Sequence, residues 1–222
     1  MSSLQLRLCS VVGTALVFIT SLWANQEIFT HSECVRGVNW IYLPAGIRLL
    51  STLLLGADGA LGLLFASWLV DFFYFFPNDP VRSFVGGIIA TVAPYAVYRL
   101  AREIYGLDAS LSNLTAGRLM MLTVAYALAG PLLHNIWFYL QGDTEHIVAR
   151  FFAMFIGDLA GTMIVIYTLK ALLHFLPVPR APNRLIVRRA RRMHVSRTTS
   201  SSAWRTRPCP RRRCASKSAR RA

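Results

Sequence analysis

The strongest constraint in this 222-residue sequence is a series of six apolar runs, each about long enough to cross a lipid bilayer. With 55% hydrophobic and only 15% charged residues, the chain is too apolar for an ordinary soluble domain. We therefore predict an all-α fold, a polytopic transmembrane bundle of about six helices. The predicted spans are Leu8–Ala24, Val38–Leu55, Ala60–Phe76, Phe84–Leu100, Leu119–Leu140 and Phe151–Leu176.

Charge divides the chain into a transmembrane helical domain, 1–179, and a basic tail, 180–222. The tail holds 15 of the 24 Lys and Arg residues and no acidic residue, whereas the rest is nearly neutral. Its Ser, Thr, Pro and Ala without apolar periodicity predict disorder. We expect this tail to bind anionic lipids of the bilayer rather than nucleic acid, because the chain shows no base-reading fold. Out-of-frame translation of GC-rich coding sequence is an alternative origin of this stretch.

The distribution of Lys and Arg predicts the orientation of the bundle, because short cytoplasmic loops are enriched in both residues. With six spans, one side collects Arg7, Arg99, Arg102, Arg118 and the tail. The other side holds Arg36, Arg82 and Arg150 among acidic residues. We therefore expect cytoplasmic N- and C-termini. The first span could be a cleaved signal peptide instead, but the large Leu22 near the cleavage position favours a retained helix.

The ionisable residues inside the predicted spans include Arg48, Asp71, His134 and Asp158. Each charge costs about 2.5–3.5 kcal/mol at the centre of a membrane, so such residues usually have a partner or a function. Counted at about 1.5 Å per residue, all four lie in the outer half of the membrane and share one layer. We predict that Asp71 and Asp158 neutralise Arg48 beside a pocket open to the outside. The alternative is that these charges only hold helices together.

Small or helix-breaking residues accompany these charges. Pro44 and Gly46 precede Arg48, and Gly157 and Gly161 flank Asp158 in a G-x-x-x-G spacing that allows helices to approach closely. A proline in a helix also frees a backbone carbonyl, which membrane proteins tolerate mainly beside protein or a water-filled cavity. The predicted ligand-binding residues are Pro44, Gly46, Arg48, Asp71, His134, Asn135, Asp158 and Gly161.

Three short motifs resemble those of a known membrane family. The run W-I-Y-L-P-A-G-I at Trp40–Ile47 and L-L-L-G at Leu53–Gly56 are similar to the first part of the MASE family of membrane-associated sensor domains. F-I-G-D-L-A-G-T at Phe155–Thr162 resembles the closing Gly-Asp-x-x-Gly motif of that family. The resemblance covers about Val38 to Leu176.

The resemblance implies an input module of the bacterial inner membrane that binds a signal and acts on a histidine kinase or diguanylate cyclase. Members of the family usually have about eight spans, whereas six are predicted here, and they generally carry an output domain, which the short basic tail does not match. The residues that the resemblance singles out are Pro44, Ala45, Gly46, Gly157, Asp158 and Gly161.

Three functional classes fit a polar pocket between membrane helices. We favour a sensory, small-ligand-binding module that transmits a signal through helix rearrangement to a separate signalling partner. The alternative is the substrate-binding subunit of a transporter of the energy-coupling-factor kind, which needs an ATPase partner. An enzyme is not expected, because the sequence holds no H-E-x-x-H or G-x-S-x-G motif. We expect no catalytic residue and no cofactor or metal, since Cys9, Cys34, Cys209 and Cys214 are too scattered for a metal site.

Overall fold

A computed structural model describes residues 2–29, 33–35, 38–107 and 114–175, and side chains are described outside 33–39. This part of the chain folds into six helices and one short β-ribbon, which confirms the predicted all-α fold. The tail, 180–222, lies outside the described residues. The elements are α1 (Ser3–Ile28), β1 (Glu33–Val35), β2 (Val38–Asn39), α2 (Leu43–Leu55), α3 (Ala57–Val70), α4 (Pro80–Tyr105), α5 (Ala116–Leu140) and α6 (Ile147–Phe175). β1 and β2 pair antiparallel, and a π-helical turn, Asp71–Phe75, continues α3.

Five of the six helices in the described part are long and apolar enough to cross a membrane, which suggests a multi-pass membrane protein. The exception is α2, so the predicted span Val38–Leu55 is not one long helix. Its first residues form β2 and an extended connection, and α2 has only 13 residues. At about 1.5 Å per residue α2 is about 20 Å long, which is short of the roughly 30 Å hydrocarbon core.

The sequence around α2 explains where this helix begins and ends. Pro44 lies in the first turn, where a proline costs no helical hydrogen bond. Gly56 ends the helix with a positive φ of 59°, and α3 begins at the next residue. A side chain at position 56 would also meet the Tyr98 hydroxyl, with the two atoms 2.9 Å apart. Glycine therefore permits the abrupt reversal between α2 and α3.

The short helix α2 packs against α1, α3, α4 and α6. Its first backbone N–H groups, which have no partner within the helix, bind to neighbouring elements. The N–H of Leu43 donates to Asn25 Oδ1 on α1 at 2.8 Å. The N–H of Tyr42, just before the helix, donates to the carbonyl of Gly157 on α6 at 3.1 Å. The start of α2 is thus held inside the bundle by two other helices.

Consecutive helices alternate in direction, so each helix runs toward one end of the bundle and the next helix runs toward the other. α1 and α3 start at the same end and come close at Gly62, where an added Cβ would meet the Val11 carbonyl. We call the part of the bundle packed around Leu49, Leu53, Val97, Ala101 and Leu122 the closed half, because these buried side chains form one continuous cluster.

The opposite part, toward the connections 76–79 and 141–146, is the cavity half.

Candidate functional site

The cavity half encloses a space of about 550 Å³. All six helices and the connection before α6 contribute to its wall. This volume lies within the range of about 300–1,000 Å³ that small-molecule sites occupy. The wall combines seven aromatic rings with eight ionisable side chains. The rings are Phe18, Tyr42, Phe75, Phe76, Tyr126, Trp137 and Phe138, and the ionisable residues are Arg48, Asp71, Arg82, His134, Asp143, Glu145, Arg150 and Asp158.

The four ionisable residues that were predicted to share one layer of the membrane all lie on this wall. Arg48 comes from α2, Asp71 from the π-helical turn, His134 from α5 and Asp158 from α6. The chain thus brings together side chains that are up to 110 positions apart in sequence. Their part in binding a ligand stays a prediction.

Arg48 reaches into the cavity between aromatic rings. Its guanidinium carbon is 4.9 Å from the centre of the Phe18 ring and 5.4 Å from that of Tyr42. Such contacts stabilise a cation by about 0.5–2 kcal/mol. The Arg48 side chain also interacts with Tyr126, but its Nε is buried without a hydrogen-bond partner. Arg48 therefore contacts aromatic rings and keeps an N–H group that can still donate a hydrogen bond.

Asp71 and Asp158 interact electrostatically with Arg48 across the cavity. The predicted direct neutralisation is nevertheless not seen, because neither aspartate is among the ion pairs formed by the described residues. Each carboxylate lies close to a glycine of a neighbouring helix. An added Cβ would be 3.4 Å from Asp71 Oδ2 at Gly86 and 3.2 Å from Asp158 Oδ2 at Gly130.

His134 and Asn135 differ in their relation to the cavity. His134 Nδ1 is 2.9 Å from the Gly130 carbonyl, and because a carbonyl only accepts, Nδ1 carries the proton and Nε2 is left for another partner. Asn135 is not on the cavity wall. Its Nδ2 donates to the Pro131 carbonyl at 2.7 Å, while its Oδ1 is buried without a partner. Asn135 therefore acts within α5 in this structure.

Pro44, Gly46 and Gly161 also lie off the cavity wall, and the two glycines lie where α2 contacts α6. An added Cβ at Gly46 would be 2.7 Å from Val165 Cβ on α6. At Gly161 it would overlap the Tyr42 carbonyl oxygen. These glycines allow close approach of two helices, which is the packing role of small residues in membrane bundles.

The mouth of the cavity contains a cluster that the sequence analysis did not select. The Phe138 ring contacts both Arg82 and Arg150, whose guanidinium carbons are 5.1 Å and 4.9 Å from its centre. Arg82 also lies 4.3 Å from the centre of the Phe76 ring. The two arginines thus meet at one aromatic side chain of α5.

Arg150 is only 8% exposed and forms two hydrogen bonds with Asp143, NH1 to Oδ2 at 3.0 Å and NH2 to Oδ1 at 3.1 Å. NH2 also donates to the Glu145 carbonyl at 3.0 Å. These hydrogen bonds hold the pKa of Asp143 below its ordinary value. This pair therefore holds the connection before α6 against the first turn of α6.

A signal for this cluster was present in the sequence. Arg82 and Arg150 lie in the first turns of α4 and α6. A positive charge is unfavourable at a helix N-terminus, where the backbone dipole is itself positive. An arginine at this position therefore indicates another partner, and here both arginines contact aromatic rings at one cavity.

In the described part of the chain, no three His, Cys, Asp or Glu side chains are arranged to hold a metal ion.

Comparison of the chain with protein-family models, curated proteins and solved structures finds no match. The resemblance to the MASE family therefore rests on the short motifs, and membership of that family stays a prediction.

Proposed function

We propose that this chain is a membrane-embedded sensory module that binds a small molecule in the cavity and transmits its presence by moving α6 relative to α2. The observation that carries the proposal is the cavity itself, in which Arg48, Asp71, His134 and Asp158 meet between aromatic walls. Polar groups that converge on one concavity with an aromatic wall are typical of a small-molecule site. The resemblance to membrane sensor domains supports the same class.

The link between binding and movement is the contact of α2 with α6. Arg48 and Asp158 line the cavity from these two helices. Within one turn of Asp158, the carbonyl of Gly157 accepts the hydrogen bond from Tyr42, and Gly161 touches the Tyr42 backbone. A ligand held by both charged residues would act on the two sides of this contact. It would shift the bundle toward the arrangement that binds it better.

Retention of the ligand by purified protein tests the binding step. We expect native mass spectrometry of the full chain in lipid to find a small molecule bound one to one. Asp158→Asn should lose this molecule, whereas Asp58→Asn, at a residue that pairs with Arg7 in the closed half, should keep it. A stably folded wild-type protein that retains nothing, and from which no cell extract restores a bound species, would contradict the proposal.

A distance measurement tests the movement. Leu54 on α2 and Leu172 on α6 are exposed and distant from the cavity wall, so both accept spin labels as cysteine variants of a protein freed of its other cysteines. We expect the distance between the labels to change by about 1–2 Å when the retained ligand is removed, as in known helix shifts. An unchanged distance would contradict the proposed movement of α6 relative to α2 but not the binding of a ligand.

We place the protein in a bacterial inner membrane with both termini in the cytoplasm and the cavity half on the outer side. The closed half carries the basic residues Arg7, Arg99, Arg102, Arg118 and Lys170, and segment 180–222 would add contacts with anionic lipids. A membrane-impermeant maleimide should label Asn78→Cys in intact cells and Glu103→Cys only after permeabilisation. The reverse pattern would contradict this orientation.

Transport is a second candidate, because the cavity extends to Asp143 and Glu145 in the connection before α6 and could be loaded from that end. A substrate-binding transporter subunit would co-purify with an ATPase and support uptake of the retained molecule. A sensor would show neither property but would bind a kinase, a cyclase or another regulator.

A further inference from the structure

We propose that the cavity takes a small zwitterion with an apolar portion, a molecule that carries one anionic and one cationic group and has no net charge. The inference rests on the proposed ligand-binding function and deepens it by naming the chemical class. It depends on the balance of charges around the cavity, on their partners, and on the aromatic wall between them.

The charges on the wall nearly cancel. Three arginines face four carboxylates, and Arg150 and Asp143 neutralise each other at the mouth. Arg48 and Arg82 then remain opposite Asp71 and Asp158, with the exposed Glu145 at the rim. A ligand with a net charge would add an uncompensated charge to a buried site, which costs several kcal/mol. A zwitterion leaves the balance unchanged.

The carboxylates of the deep cavity have capacity for a cationic group. Asp158 is only 9% exposed, yet in the described part of the chain no hydrogen bond or ion pair reaches its carboxylate. The same holds for the carboxylate of Asp71. A carboxylate that lines a cavity and accepts no hydrogen bond from the protein can accept one from a ligand, and an ammonium group would supply such hydrogen bonds.

The arginines have the matching capacity for an anionic group. Arg48 and Arg82 contact aromatic rings, and among the residues that the structure describes neither forms an ion pair. The Nε atoms of both are buried without a hydrogen-bond partner. A guanidinium binds a carboxylate or phosphate through two parallel hydrogen bonds, so either anionic group fits this position.

The aromatic side chains define the remaining part of the ligand. Tyr42, Phe76, Trp137 and Phe138 belong to the same wall as the unpartnered charges, and these four side chains are only partly buried. A fully hydrophilic zwitterion would leave these rings in contact with water inside the cavity. An apolar portion about the size of one ring or a short chain would cover them and add about 25 cal/mol for each Å² removed from water.

Three probes that share a phenyl group separate the charges of the ligand. L-phenylalanine is the zwitterion, 2-phenylethylamine has only the cationic group, and 3-phenylpropionate has only the anionic group. Their binding to the full chain in lipid nanodiscs is measured by calorimetry, with empty nanodiscs to correct for partition into lipid. We expect phenylalanine to bind at least about tenfold more tightly than either analogue, because each added charged hydrogen bond contributes a factor of this order.

Two variants assign the charges to residues. Arg48→Gln should remove the advantage of phenylalanine over phenylethylamine and leave its advantage over phenylpropionate, whereas Asp158→Asn should do the opposite. A merely structural role would weaken all three probes together. The controls are Arg99→Gln and Asp58→Asn, at charged residues of the closed half that are outside the cavity wall. If Arg48→Gln does not fold, Arg82→Gln and the wild-type series still test the proposal.

The outcomes separate the class of ligand from the existence of a ligand. Equal binding of the three probes, preference for a singly charged probe, or binding of none would overturn the zwitterion assignment. If native mass spectrometry of the same sample shows a bound molecule that is not a zwitterion, the ligand-binding function stands and only the class is wrong. If no probe binds and no molecule is retained, both the class and the function are contradicted.

Discussion

The closed half and the cavity half are built from the same six helices but from different side chains. In the closed half Leu49 and Leu53 of the short α2 meet Val97 and Leu122 in one buried apolar cluster. In the cavity half the same α2 presents Arg48 and the Tyr42 ring to an open space. Apolar side chains can fill a gap by close packing, whereas charged side chains hold it open because they retain their need for polar partners.

The contrast shows how one short helix can serve both purposes. Its C-terminal part packs into the apolar cluster, and its N-terminal part is hydrogen-bonded to α1 and α6 through Leu43 and Tyr42. The closed half should therefore determine whether the bundle folds, and the cavity half should determine what it binds.

The largest effect on stability should come from the closed half. Leu49 is fully buried, so Leu49→Ala should lower the free energy of unfolding by about 2–5 kcal/mol through lost contacts and a new cavity. Leu54→Ala, on the same helix but 56% exposed, should cost well below about 1 kcal/mol. Reversible unfolding in mixed micelles measures both. Equal losses would contradict the buried position of Leu49 in the core of the closed half.

The junction of the two halves should show the next largest effect. Gly161→Ala places a Cβ against the Tyr42 carbonyl and should lower the free energy of unfolding by about 1–3 kcal/mol, because α2 must move away from α6. Gly13→Ala is the control, since an added Cβ there meets nothing within 4 Å. It should be neutral or stabilise α1 by up to about 1 kcal/mol. A neutral Gly161→Ala variant would mean that α2 and α6 are not tightly packed.

At the mouth of the cavity the expected effect is smaller. Phe138→Leu removes the ring that contacts Arg82 and Arg150, and should cost about 1 kcal/mol or more from lost cation–π contacts. Phe73→Leu, at a residue 82% exposed, should have little effect in the same unfolding assay. If both variants behave alike, the cluster around Phe138 does not stabilise the mouth.

The smallest effect concerns pH. Hydrogen bonds from Arg150 hold the pKa of Asp143 below that of an unfolded aspartate, about 3.9. The stabilisation is therefore fully present above this value and is lost as pH falls through the lower, folded pKa. Below about pH 4, the free energy of unfolding of the wild type should fall more steeply with falling pH than that of Asp143→Asn. The difference in slope should correspond to about one titrating group. Parallel pH profiles would contradict the role of this pair.

The sequence was sufficient for the class of fold and for the group of charges, because both depend on local quantities. Hydropathy over about 20 residues predicts a membrane helix, and a rise of about 1.5 Å per residue converts position into depth. This is how Arg48, Asp71, His134 and Asp158 could be predicted to share one layer. The same count failed for Val38–Leu55, because hydropathy does not distinguish a spanning helix from a short helix whose start is hydrogen-bonded to its neighbours.

Only the tertiary structure decided which side chains face each other. It places Gly86 and Gly130 beside the carboxylates of Asp71 and Asp158, and among the described residues neither acid forms an ion pair with Arg48. It also brings Arg82 and Arg150 to the same cavity, which their positions in the first turns of two different helices do not specify. The rotation of each helix and the choice of its neighbours depend on packing across the whole bundle, and periodicity along one segment does not contain that information.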